Sequence, residues 1–236
     1  MKTLVIVAAG GLAREGAAAV ARSSEWDFVG VLAAAVIERS SEWNLIGFLD
    51  DAPGLAGAVV AGKPVLGGID AVRGYPDAWL LICAGKGQAR RSIVTKLDEL
   101  GVTADRFATL IAPDVYVPTS CSVGAGSILL SGTVLTADVA VGAHVVTMPG
   151  VVLTHDNRVL DYATLCAQVT LGGNVTVGEA AYLGMGALVR ERLTIGANAV
   201  LGMGAALLHD LPAGQTWAGV PAEAIRLRTT FQEKVS

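Results

Sequence analysis

From Ile111 to Leu207 every sixth residue but one is aliphatic. The series runs Ile111, Val117, Val123, Leu129, Leu135, Val141, Thr147, Leu153, Val159, Leu165, Leu171, Val177, Leu183, Val189, Ile195, Leu201 and Leu207. That is seventeen hexads in unbroken register, sixteen of them led by an aliphatic residue. A helix repeats its apolar positions every 3.6 residues and a half-buried strand every two, so neither explains the pattern. A sustained period of six is the signature of a parallel β-helix built from hexapeptides, each a short strand plus a turn. The spacing predicts that the lead residue points into the core. Small neighbours (Gly142, Gly178, Gly184, Gly196, Gly202) let the chain turn tightly. Three hexads make one coil, so the solenoid has nearly six coils.

The composition agrees with a thin aliphatic interior: 53% of the 236 residues are hydrophobic but only 5% aromatic. A net charge of −4 leaves no basic footprint, which argues against a nucleic-acid partner. Cys83, Cys121 and Cys166 are scattered and form no C-x-x-C pair. They read as buried free thiols in a reducing compartment, hence a cytoplasmic protein, and not as a disulfide framework or zinc knuckle. The apolar start, Leu4 to Ala9, is short and soon interrupted, so it reads as a buried strand and not a signal peptide. Residues 115–137 carry no charge over 23 positions, but Ser, Thr, Pro and Gly recur there on the six-residue beat. The stretch belongs to the solenoid, and no membrane partner is expected.

Before the solenoid, apolar runs alternate with helical patterns. Leu4–Val7 runs into Gly10-Gly11 and a helical stretch from Leu12 to about Ser23. A strand, a glycine turn and a helix open a nucleotide-binding α/β unit, although Ala8 stands where the first glycine of G-x-G-x-x-G belongs. The segment 22–32 then returns as 39–49, with seven of eleven positions identical, and Ala-Ala-Ala-Val precedes both copies. Only the second copy runs into Asp50-Asp51 at a strand end, so it takes the second-strand slot. The first copy is then a lengthened helix or a hairpin-like insertion. Lys63–Gly68 reads as a short strand and turn, Trp79–Ala84 as a buried strand closed by Gly85, and Gln88–Leu100 as an amphipathic helix ending at Gly101. The expected organisation is a small Rossmann-like parallel sheet over 1–108, a solenoid over 109–221, and a charged tail over 222–236 forming a short helix or frayed end.

Of three histidines, His155 and His209 are each the third residue of a hexad and lie 54 residues, or three coils, apart. At about 4.8 Å per coil they are roughly 14 Å apart on one corner, too far to share a metal. His144 is the fourth residue of its hexad and points elsewhere, so no metal is expected. His155 has better prospects as a general base, because neutral imidazole is available at pH 7 and a neighbouring carboxylate can orient it. Adjacent side chains on a straight strand face opposite ways, so Asp156 can help only at a turn. The alternative is a solvated His-Asp corner without chemistry.

The chain resembles the hexapeptide-repeat sugar acetyltransferases of the NeuD/PglD type, which modify sialic acid or nucleotide-activated 4-amino sugars. The resemblance covers almost the whole chain. It is carried by Gly10-Gly11-Leu12-Ala13-Arg14-Glu15, Gly47-Phe48-Leu49-Asp50-Asp51, Pro64–Gly68, His155-Asp156, Leu171–Gly178 and Gly219-Val220-Pro221-Ala222. It implies a left-handed β-helix, a homotrimer, and acetyl-CoA as co-substrate between neighbouring solenoids, with no metal required. The first domain would hold a nucleotide-activated amino sugar. His155 would be the base, Asp156 its acidic partner, and the Gly173 N–H a donor to the developing oxyanion. Thr164, Gly173, Met185 and Met203 match acetyl-CoA positions, Thr164 standing where a second histidine is common. Gly10, Gly11, Leu12 and Ala13 match the phosphate turn, Asp50 and Asp51 the base contacts, and Gly85 the loop after the next strand. The implied activity is N-acetylation of a nucleotide-linked 4-amino sugar by direct attack. O-acetylation of a sialic acid and a non-catalytic trimeric scaffold are the alternatives.

Overall fold

The computed structural model describes residues 1–7, 28–52 and 54–225, and of 28–32 the backbone alone. The expected helix from Leu12 to Ser23 and the turn residues Gly10, Gly11, Leu12 and Ala13 lie outside the described residues.

The first region contains β1 (Lys2–Val7), α1 (Phe28–Glu38), β2 (Trp43–Leu49), β3 (Val59–Val60), β4 (Lys63–Gly67), β5 (Trp79–Ile82) and α2 (Gly87–Glu99). The sheet order is β3-β4-β2-β1-β5. All pairings are parallel except β3 with β4. The apolar run of β1 is uninterrupted because both faces are covered. Leu4 and Ile6 join a cluster with α1 and the solenoid residues Leu110, Ile128 and Val146. Val5 and Val7 pack with Leu80, Ile82 and, from α2, Ile93 and Leu97.

The two copies of the duplicated segment fold differently where both are described, at residues 28–32 and 45–49. The second is β2, paired with β1 as its position before Asp50-Asp51 implies. The described part of the first copy, residues 28–32, opens helix α1. The residues directly downstream of each copy account for the difference. Residues 33–36 are Ala-Ala-Ala-Val, which extends a helix, whereas Leu49 runs into Asp50-Asp51 and a turn.

Phe107 still bridges to β5, while Leu110–Ile111 already pairs with Ile128–Leu129 as the first rung of the solenoid. From there two-residue strands stack in parallel on partners eighteen residues away, the length of three hexads. They form three sheets. The first face includes Ala140–Val141 and Arg158–Val159, the second Val146–Thr147 and Thr164–Leu165, the third Val152–Leu153 and Thr170–Leu171. The second residue of each strand is the hexad leader. From Leu129 onward every leader is buried. At the open first coil the rule weakens: Ile111 is 37% exposed, and Val117 and Val123 are half-buried. Thr147, the one polar leader, is fully buried and pairs its hydroxyl with that of Thr133 at 3.0 Å.

The fifth residue of each hexad also points inward. It is alanine at 163, 181, 187, 199 and 205, all fully buried, which explains the alanine-rich, ring-poor composition. From the hexad of Val123 to that of Leu201 the fourth residue takes the left-handed conformation at the corner. Asp138, His144, Asp156, Tyr162, Gln168, Asn174, Ala180, Arg192 and Asn198 have φ between 53° and 62°. After the last hexad, Thr216–Ala218 extends the second face beside Val200–Leu201. Glu223–Ala224 then pairs antiparallel with it. The start of the expected tail is therefore a strand at the sheet edge, held by pairing that its charged sequence did not announce.

Candidate active site

His155 lies on the corner that leads from the third face to the first. Asp156 is the left-handed residue of that corner, with φ +60°. This is the turn the pair requires. It brings the Asp156 Oδ2 to 2.8 Å from His155 Nδ1. A carboxylate can only accept, so Nδ1 carries the proton and Nε2 keeps its lone pair. One coil further, Gly173 lies against the imidazole edge: a β-carbon there would collide with His155 Cε1 and Nε2. Only glycine leaves that lone pair uncovered. The neighbouring amides are engaged, Gly172 N–H with Val189 O and Asn174 N–H with His155 O. Among the described residues Gly173 N–H has no acceptor. The corner thus combines a base with an oriented ring and an open backbone donor. Both side chains are exposed in the single chain, His155 by 65% and Asp156 by 58%.

Met185 and Met203 follow strands of the second face, so they occupy the corner between the second and third faces. They are 43% and 67% exposed. Within one chain they are therefore one whole face away from His155. His209 shares the corner of His155, three coils on, and His144 sits on the remaining corner. Among the described residues no group of three metal-ligating side chains is found.

Thr164, expected to contact acetyl-CoA, is enclosed by the chain's own residues. It is 1% exposed, and its hydroxyl donates to Gly85 O at 2.8 Å. The physical reason is the docking of α2, which covers the second face at this height. Gly87, at the start of α2, rests so closely on Tyr162 O and Ala180 that a β-carbon would not fit. Arg90 fills the joint. It is fully buried, and its guanidinium donates to Ala84 O, Gly85 O, His144 O, Tyr162 O, Ala163 O and Thr164 Oγ1 at 2.6–3.0 Å. Burial pulls its pKa down to about 9, against the influence of Cys83 and Tyr162, so it stays charged at neutral pH. Arg90 was missed in the sequence. Its signal is a cation inside the apolar stripe that continues through Ile93 and Leu97. Beside the joint a cleft of about 360 Å³ opens between Lys86, Gly87 and Gln88 and the solenoid residues Tyr182, Asn198 and Val200.

Asp50, Asp51 and Gly85 follow the carboxyl ends of β2 and β5. Asp50 is 7% exposed, and its carboxylate accepts from Ala52 N–H at 2.8 Å. Asp51 accepts from Ile69 N–H and pairs with Lys96, both at 2.8 Å. Partial burial works to raise its pKa, but Lys96 and the Ile69 amide prevail and hold it below the ordinary value. All three cysteines are free.

No protein-family model matches the chain, and no curated protein matches it. Solved structures do. Perosamine N-acetyltransferase of Caulobacter crescentus, as a histidine-to-asparagine variant with CoA and GDP-perosamine, superposes with a TM-score of 0.80 at 25% identity, over 96% of this chain and 97% of that one. PerB of the same organism, with the same two ligands, gives 0.79 at 26% identity, over 96% and 98%. The acetyltransferase domain of PglB from Neisseria gonorrhoeae gives 0.77 at 26% identity with acetyl coenzyme A, over 95% and 99%. The chain thus resembles the hexapeptide-repeat sugar acetyltransferases of the NeuD/PglD type along nearly its whole length. The likeness runs through both regions, so it includes the α/β unit as well as the widespread solenoid.

Proposed function

We propose that this acetyltransferase transfers the acetyl group of acetyl-CoA to the amino group of a nucleotide-linked 4-amino sugar, with His155 as general base. The observation that carries the reading is the His155–Asp156 pair at its turn, with Nε2 facing the glycine corner. The complexes of the perosamine enzyme with CoA and GDP-perosamine support the substrate classes. The sugar amine attacks the thioester carbonyl carbon directly. His155 Nε2 takes the proton released from the amine, and Asp156 stabilises the imidazolium. The Gly173 N–H faces the oxyanion of the tetrahedral species, where a preorganised donor helps most. Collapse expels the thiolate of CoA, which leaves as thiol with the proton held by His155.

Asp50, Asp51, Gly85 and the turn Gly10–Ala13 are proposed to border the nucleotide, because ligands bind beyond the carboxyl ends of a parallel sheet. Asp51 would do so while tied to Lys96. Met185 and Met203 are proposed to contact acetyl-CoA from a neighbouring copy, since their own His155 is a face away. An exposed apolar stripe supports a homotrimer. On the third face Val134 and Leu188 are 45% and 53% exposed, in line with Val152 and Ala206 and with Thr170 as the one polar member of the row. Among the described residues no helix is long and apolar enough to cross a membrane. Acetyl-CoA and the free thiols support a cytoplasmic site.

The test is a steady-state assay of thiol release with acetyl-CoA and GDP-, UDP- and dTDP-linked 4-amino sugars. Turnover with at least one of these acceptors is expected. No turnover with any of them, or faster acetylation of free sialic acid, would overturn the reading.

A further inference from the structure

Arg90 is a buried cation whose six bonds all go to neutral oxygens on two separate parts of the fold. A guanidinium is suited to this because its planar fork fixes several acceptors at once. Two of the acceptors, Ala84 O and Gly85 O, belong to the loop after β5. The others belong to the solenoid. His144 O and Tyr162 O sit at the same corner on successive coils, and Ala163 O and Thr164 Oγ1 come directly after Tyr162. The Thr164 hydroxyl closes the loop of contacts, accepting from Arg90 at 3.0 Å and donating to Gly85 O at 2.8 Å. Gly85 O therefore receives two donors, one from each domain. Thr164 is on the same coil as His155, one corner later. The stretch from His155 to Thr164 contains the strand Arg158–Val159, which is hydrogen-bonded to coils on both sides.

We propose that Arg90 and Thr164 are positioning residues that lock the Gly85 loop to the coil of His155, so that the nucleotide-sugar pocket is held at a set distance from the solenoid. The proposal rests on the reading that the Gly85 loop borders the nucleotide sugar. It gives Thr164 a role toward the nucleotide sugar and none toward acetyl-CoA. It also separates two functions of one loop: its backbone oxygens face the joint, which leaves its outer edge for ligand.

Thr164→Val removes the hydroxyl at nearly constant volume, and Thr164→Ser keeps it. Amide hydrogen exchange across residues 83–88 reads the lock without requiring activity. In Thr164→Val this segment is expected to exchange about three- to tenfold faster, the worth of one buried hydrogen bond, while the third face is unchanged. Kinetically, the KM for a GDP-linked 4-amino sugar is expected to rise about three- to tenfold. The KM for acetyl-CoA and kcat stay within about twofold, and Thr164→Ser behaves as wild type. Arg90→Lys, which keeps the charge and loses the fork, moves the same quantities further in the same direction. Unchanged exchange in Thr164→Val would overturn the lock. A raised KM for acetyl-CoA with the sugar KM unchanged would return Thr164 to the cofactor. A lowered melting temperature with both KM values unchanged would reduce it to a structural residue. If the wild-type protein turned over no nucleotide sugar, the proposed function would fail while the exchange arm still decided whether the lock exists.

Discussion

His155 and His144 sit on the same solenoid and face opposite environments. His155 stands out from its corner with Asp156 on one ring nitrogen. His144 is 5% exposed, its ring parallel to Tyr162 at 5.3 Å and edge-on to Phe107 at 4.8 Å, and its Nδ1 has no partner among the described residues. Burial, with help from the Arg90 charge and against Asp161, pulls its pKa down to about 4. Two things separate them. One is place in the hexad: His155 is third and His144 is fourth, in the left-handed position with φ +53°. The other is the corner. The corner of His144 is the one on which α2 docks, whereas no described residue covers the His155 side chain, which is 65% exposed. Hexad position, the Asp156 partner and the docking of α2 together leave one imidazole accessible as a candidate base and make the other part of the packing.

Changing either histidine, or its surroundings, breaks or sharpens this contrast. The largest effect is expected for His155→Ala, which should lower kcat about 10²–10⁴-fold in the thiol-release assay. Gly173→Ala should come next, since its new methyl occupies the place of His155 Nε2. A loss of about 10²-fold in kcat with an unchanged melting temperature is expected. Asp156→Asn retains a polar partner but not the charge, so a smaller loss of roughly tenfold or more is expected, with substrate KM values little changed.

His144 should instead appear in stability. Its folded pKa of about 4 lies below the 6.5 of an unperturbed histidine. The unfolded chain therefore takes up this proton first as the pH falls. The stability held by neutral His144 is full above pH 6.5 and is lost as the pH drops toward 4. The loss is on the order of 3 kcal/mol. His144→Phe keeps an aromatic ring at a corner position where Tyr162 shows one is tolerated, and it removes the titration. Urea melts from pH 7.5 to 4 should show a flatter profile for this variant and a kcat within about threefold of wild type at pH 7.5.

Much of the fold was legible because the solenoid is nearly one-dimensional: each coil repeats its neighbour, so a period of six sets strands, leaders and corners. The separation of Met185 and Met203 from His155 was also legible by counting, since neither lies a multiple of eighteen residues from 155. The exposure of Ile111 was not, because it depends on the solenoid end being open. Nor was the fate of Thr164. Its place on an outward-facing strand position is readable, but whether that face meets solvent or α2 is set by domain docking. Arg90 was hidden for the same reason: five of its six acceptors are backbone oxygens, which carry no side-chain signature. The duplicated segment shows the limit of local reading: residues 28–32 of the first copy are helical, while the matching residues 45–49 of the second lie in a strand.

Chemical rescue tests the central claim most directly. In His155→Ala, with acetyl-CoA and the accepted nucleotide 4-amino sugar both saturating, added imidazole should restore thiol release in proportion to its concentration. His144→Phe should be indifferent to it. Wild-type turnover by His155→Ala without imidazole would contradict the account, as would a loss of turnover in His144→Phe equal to that in His155→Ala.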